Sequence, residues 1–206
     1  PSSTTNTAEY NVAVGITALN AVTTGDYNTV VGNEALTDNT LGSYNTAIGM
    51  QALQENISGN YNTASGMNAL HKNTSGDRNT ASGLNALYEN TTGDYNTAIG
   101  ENALKNNTQG VYNTALGSEA LSNNTSGDGN IGLGYRAGYA LQGGDYNIAI
   151  GYDADFSSFQ DTNSIVIGKS ANGRGSNTVT LGNSDVTAVY MAGDSGATVY
   201  AGGINL

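Results

Sequence analysis

The sequence predicts an all-β chain wound as a parallel β-solenoid of 17-residue coils, and three observations carry that reading. The first is internal repetition. From Asp26 the chain runs DYNTVVGNEALTDNTLG, SYNTAIGMQALQENISG, NYNTASGMNALHKNTSG, DRNTASGLNALYENTTG, DYNTAIGENALKNNTQG and VYNTALGSEALSNNTSG, with looser copies on either side. A period of 17 is too short for a helical pair or a leucine-rich unit and suits one turn of a β-helix. The second is a strict glycine register. Gly15, Gly32, Gly49, Gly66, Gly83, Gly100, Gly117, Gly134, Gly151 and Gly168 are each 17 apart, and a second set closes the units at Gly25, Gly42, Gly59, Gly76, Gly93, Gly110, Gly127 and Gly144. Both sets are expected at corners with positive φ, where a β-carbon is opposed. The third is an alanine three residues past the first glycine, from Ala18 to Ala171, as stacked side chains sharing one slot require.

The elements follow in chain order. Residues 1–8 read as an N-terminal tail, residues 9–127 as regular coils, residues 128–182 as degenerate coils, and residues 183–206 as a C-terminal association element. Within a coil, a stretch such as Asn96-Thr97-Ala98-Ile99-Gly100 is a short strand of period two. Thr97 and Ile99 share one face, and in later coils that Thr slot becomes Ile131, Ile148, Ile165 and Val179. The growing apolar content predicts that this face points into the coil. The alanine face (Ala47, Ala64, Ala81, Ala98, Ala115) is then predicted to lie outward, where another surface approaches closely. Leu19, Leu36, Leu53, Leu70, Leu87, Leu104 and Leu121 meet the strand across the interior. Beyond Asn183 the period ends, and two alternating strands are expected around Gly193-Asp194-Ser195-Gly196.

Composition narrows function. The chain has no cysteine, so disulfide scaffolds and thiolate metal sites are excluded. A net charge of −11 argues against nucleic-acid phosphates and anionic membrane surfaces as partners. No apolar run reaches the roughly 20 residues of a membrane-spanning helix. A coil this thin encloses few apolar side chains, so a second buried surface between chains is expected to offset the ordering cost, with the alanine face or the tyrosine column as its seat.

Several columns carry chemistry-bearing side chains. Asn28, Asn45, Asn62, Asn79, Asn96 and Asn113 predict a structural amide ladder along the stack, while Asn39, Asn56, Asn73, Asn90, Asn107 and Asn124 are expected to turn the corner before the closing glycine. Tyr27, Tyr44, Tyr61, Tyr95 and Tyr112 share a slot interrupted by Arg78 and Gly129, and are read as a stacking or interface column rather than a ligand platform. Asp26, Asp77, Asp94, Asp128 and Asp145 read as Gly-Asp turns rather than calcium ligands. His71, the one histidine, offers no triad or zinc set, and the carboxylates Asp153 and Asp155 have no evident partner or pocket. No catalytic residue, metal site or cofactor is assigned, and the chain is read as a non-enzyme. Receptor contact is placed in the irregular region, at Tyr135, Arg136, Tyr139, Tyr152, Phe156 and Phe159.

Residues 163–168, NSIVIG, followed after 14 residues by NTVTLG, resemble the head repeat of YadA-type trimeric autotransporter adhesins. The 17-residue version, YNTAIGxxALxxNTxG, is similar to repeats of phage tail fibres. Together the two resemblances span residues 9–182. They imply a left-handed β-roll, a homotrimer with a β-prism-like C-terminal element, and an extracellular place on a virion tail fibre or bacterial surface. They also imply attachment to a host through a surface glycan or protein receptor, with residues 202–206 as the retained side of a cut by a self-trimming chaperone. An ice-binding or carbohydrate-binding solenoid is the alternative function. Against ice binding stands the expectation that the threonines Thr29, Thr46, Thr63, Thr80, Thr97 and Thr114 point inward.

Overall fold

The computed structural model describes residues 6–187. It is a parallel β-solenoid whose strands form one sheet of 11. Each strand has three residues, from β1 (Val12–Val14), β2 (Thr29–Val31), β3 (Thr46–Ile48) and β4 (Thr63–Ser65) through β5 (Thr80–Ser82), β6 (Thr97–Ile99) and β7 (Thr114–Leu116). The sheet ends with β8 (Ile131–Leu133), β9 (Ile148–Ile150), β10 (Ile165–Ile167) and β11 (Val179–Leu181). Sheet order equals chain order and every pairing is parallel: Ala64 lies opposite Ala81, and Ile165 opposite Val179 across the one coil of 14 residues. No α-helix occurs among the described residues. Outside the strands the backbone also bonds from coil to coil, as in Leu36 N–H to the Ala52 carbonyl at 2.9 Å and Asp38 N–H to that of Gln54 at 3.0 Å. Most of the C-terminal element expected at 183–206 lies outside the described residues.

The interior is thin and fully occupied. It holds the strand-centre residues Ala47, Ala64, Ala81, Ala98 and Ala115, the facing pair typified by Ala86-Leu87, and two asparagine columns, all buried. The predicted orientation of the strand is therefore reversed: alanine points in, and the Thr/Ile face points out. The reason is space. A Cβ built on Gly132, which replaces the strand-centre alanine in β8, would lie 2.8 Å from Leu121 Cγ and 2.8 Å from the Ala137 carbonyl oxygen. With the leucine column opposite, the slot admits little more than a methyl group. Apolar bulk in a strand ordinarily signals burial, but here the bulky residues are those the coil has no room for.

The glycine columns also divide by cause. The first set does adopt positive φ, for example +142° at Gly66 and +137° at Gly83. The closing set does not. Gly76 is required by crowding, because a Cβ there would sit 2.5 Å from Asn73 Oδ1 and 2.5 Å from the Gly93 carbonyl oxygen. Left-handed corners fall instead on non-glycine residues, including Tyr61 (φ 58°), Asn68 (φ 59°) and Leu70 (φ 53°) in one coil. Such a conformation costs roughly 1–2 kcal/mol per residue. Coil-to-coil hydrogen bonds on both sides of each corner hold it.

Candidate functional site

Because alanine occupies the interior, residues one and three of every strand form an outward ribbon along the whole sheet. Residue one runs Thr29, Thr46, Thr63, Thr80, Thr97, Thr114, Ile131, Ile148, Ile165 and Val179; residue three runs Val31, Ile48, Ser65, Ser82, Ile99, Leu116, Leu133, Ile150, Ile167 and Leu181. None of these is buried, and Ile99 retains 45 % of its surface. The ribbon is mixed in the middle and wholly apolar from β8 to β11. At about 4.8 Å per strand it is roughly 50 Å long and one three-residue strand, about 10 Å, wide. An exposed apolar strip of several hundred Å² marks an interaction surface.

Beside it runs the tyrosine column. Tyr10, Tyr27, Tyr44 and Tyr61 stack with ring centroids 4.8, 5.0 and 4.9 Å apart and planes within 9°. The left-handed φ of these residues aims every ring the same way. Arg78 then substitutes for a ring, its guanidinium carbon 5.5 Å from the Tyr61 centroid and 5.2 Å from that of Tyr95, while it donates to Tyr95 Oη. Tyr95 and Tyr112 resume the stack at 4.9 Å. The stacking expected of this column is thus present within a single chain, with the outer ring surfaces left exposed.

The irregular region splits. Tyr135 and Tyr152 stack at 5.1 Å, and Arg136 lies 4.1 Å from the Tyr139 centroid with Glu119 Oε2 3.5 Å and Asp153 Oδ1 3.9 Å from its Nε. Phe159 is exposed. Phe156 is not available to a receptor, since only 4 % of it reaches solvent. Gly138 stands where earlier coils have leucine, and Phe156 fills the space: a Cβ on Gly138 would lie 3.1 Å from its ring and 2.7 Å from Leu121 Cδ2. Five of the six residues named from sequence remain on or near the surface, and the sixth repairs the core.

The polar columns are structural. In the second asparagine column each Nδ2 from Asn56 onward donates to Oδ1 one coil below and to the closing glycine carbonyl of its own turn, as for Asn73 with Asn56 at 2.7 Å and Gly76 at 3.0 Å, while that of Asn39, above Val22, makes only the glycine bond. This side-chain ladder runs from Asn39 to Asn124 between the apolar Val22 and Leu141. The first column does something different. Asn62 Oδ1 accepts the backbone N–H of Asn79, and its Nδ2 donates to the Gly76 carbonyl at 2.8 Å, so it bonds mainly to backbone. The second column holds the corner to the closing glycine as its spacing suggests and adds a side-chain ladder of its own, while the first column links the coils chiefly by Oδ1 accepting the next coil's backbone N–H.

Among the ionisable groups, burial holds the His71 imidazole below its ordinary range, with Glu55, 3.7 Å away, opposing and Lys72 reinforcing. Burial also pushes Asp155 up, partly offset by backbone N–H groups of Ala140 at 3.1 Å and Phe156 at 2.9 Å. Asp153 faces Arg136 while Asp155 caps backbone, so their first interactions are with different partners. Among the described residues no group of three or more His, Asp or Glu could hold a metal ion. Comparison with family models, with curated proteins and with solved structures at a significant level gave no match.

Proposed function

We propose that the chain is a structural and adhesive fibre segment, a tail fibre or surface-adhesin head, in which three copies pack around one axis and present their outer surfaces to a host glycan or surface receptor. The outward Thr/Ile/Val ribbon carries this reading. Its apolar run from β8 to β11 is a continuous row of exposed and half-buried residues, and mating it would supply the buried area that a thin coil lacks. Identical heights on every copy let coil meet coil, the condition for closed rotational symmetry. The number three and the extracellular location come from the resemblance to YadA-type heads and phage fibre shafts.

Sedimentation equilibrium tests it. The expected mass is three times the 21.0 kDa of one chain, falling to one chain when Ile148 and Ile150 are both changed to Asp. A wild-type chain that sediments as a monomer at tens of micromolar overturns the assembly.

A second reading gains from the same surface. Six consecutive threonines, Thr29 to Thr114, stand outward in a flat row at the strand spacing, which removes the orientation argument against ice binding. Their partner row is Val31, Ile48, Ser65, Ser82, Ile99 and Leu116, not a second threonine row. Thermal hysteresis separates the two: a trimer that covers the ribbon gives none, whereas an ice binder gives a clear freezing-point gap at micromolar protein.

A further inference from the structure

The tyrosine column has one missing rung. At Gly129 the backbone keeps the φ of the column, +66° against +59° at Tyr112 and +58° at Tyr146, but no ring is attached. Tyr112 and Tyr146 are accordingly among the most exposed rings of the column, at 62 % and 68 %, where Tyr44 between two neighbours is 48 % exposed. Tyr146 leans over the bare backbone, for a Cβ on Gly129 would lie 2.8 Å from its Cδ1. Two coil heights separate the Tyr112 and Tyr146 backbones, about 9.6 Å. A flat ring inserted between them, with Tyr146 returned to the column direction, stacks about 4.8 Å from each, within the range favourable for ring faces.

We propose that this slot takes one neutral pyranose ring, so that a sugar supplies the absent rung. The proposal rests on the glycan-attachment reading above and names its site. The chemistry favours a neutral sugar over an acidic one. Asp128 and Asp145 immediately precede Gly129 and Tyr146. Each spends Oδ1 on a backbone N–H, of Val111 at 2.8 Å and of Asp128 at 2.9 Å, and neither Oδ2 accepts a hydrogen bond among the described residues. Two carboxylate oxygens of this kind accept from sugar hydroxyls and repel a carboxylate-bearing ring. The C–H face of the pyranose supplies the apolar surface the two tyrosines lack.

Saturation-transfer NMR on the full chain tests this, using the methyl pyranosides of glucose, galactose, mannose and N-acetylglucosamine, with sialyllactose as the acidic comparator. At least one neutral pyranoside is expected to bind, with saturation strongest on its ring C–H protons and with sialyllactose at least tenfold weaker. Gly129→Tyr restores the column residue at a φ that tyrosine already adopts in neighbouring coils. It is expected to melt no lower than wild type and to weaken pyranoside binding at least tenfold. Tyr112→Ala, which removes one wall without adding bulk, should give the same loss. Absence of binding by all four pyranosides, equal binding of the acidic sugar, or unchanged binding in both variants overturns the slot. A Gly129→Tyr trimer that still attaches to receptor-bearing cells sinks the slot and leaves the attachment reading standing. A chain that takes up pyranoside but attaches to no cell or glycan-coated surface does the reverse.

Discussion

Asn73 shows how much one side chain does in this fold. It is fully buried, donates to Asn56 Oδ1 and to the Gly76 carbonyl, and accepts from Asn90 Nδ2 at 2.8 Å. Asn73→Ala leaves Asn56 Oδ1 without a donor and one Asn90 Nδ2 proton without its acceptor, while the Gly76 carbonyl keeps Asn62 Nδ2. At roughly 1–3 kcal/mol for each unsatisfied buried group the expected loss is about 2 kcal/mol or more. At the ladder's upper end Asn124 Oδ1 has no partner, because Leu141 occupies the next rung. Asn124→Leu leaves nothing unmet above it and should cost clearly less; denaturant midpoints of the two variants, compared at equal slope, check the order. His71 is a second residue with a testable consequence. Its imidazole is held below the ordinary range, so between that lowered value and about 6.5 the unfolded chain binds more protons than the folded one. Stability from this group is full above about 6.5 and declines as pH falls through the lowered value. Tyrosine occupies the equivalent position at Tyr88, and in His71→Tyr the loss of midpoint between about pH 7 and pH 5 should be smaller than in wild type.

At the scale of the coil, the element is a slot of fixed width rather than a strand with two equivalent faces. Gly76→Ala places a methyl 2.5 Å from an amide oxygen and 2.5 Å from a carbonyl oxygen on different coils, so neither can yield without breaking a ladder. A loss above about 4 kcal/mol, or no soluble folded protein, is expected. Ala81→Val tests the strand slot more gently: overpacking costs about 1–3 kcal/mol, and a thermal melt reads it. Val30 and Val166 fill the same slot near the two ends of the sheet, which shows that the slot widens where the neighbouring coils allow. Most of the coil was legible in the sequence. The 17-residue spacing of Ala86 and Ala103 or of Asn73 and Asn90 requires stacking, and these pairs do stack. The strand's orientation was not legible, since a period of two gives alternation without a sign, and the apolar Ile131 and Ile148 supplied the wrong one.

For the whole molecule, stability accrues by nearest neighbours along the axis, and the proposed lateral association would be a separate matter, set by the ribbon and by charge. Each chain carries −11, so in the proposed trimer three such charges would repel one another while the apolar surface draws the chains together. Raising sodium chloride from about 0.05 to 0.5 M shortens the screening length and should tighten the assembly. Sedimentation at the two concentrations checks the direction, and weakening by salt would mean that ion pairs, not the ribbon, join the chains. The candidate sites were less legible than the coil. Tyr135 and Phe159 stand out as departures from the template and are exposed, yet Phe156 departs equally and is buried. A departure from a repeat signals either a binding surface or a repair, and only the hole left by Gly138 shows which.

By itself the sequence determined the parallel stack, its period and the columns that run along it, because residues at a fixed spacing in a laddered backbone must lie over their counterparts. The tertiary structure decided which way each column points: alanine inward, Thr and Ile outward, and both asparagine rows into the coil. That decision turns on the few ångströms between the strand and the opposing leucines, a distance set by the closed coil and carried by no single residue.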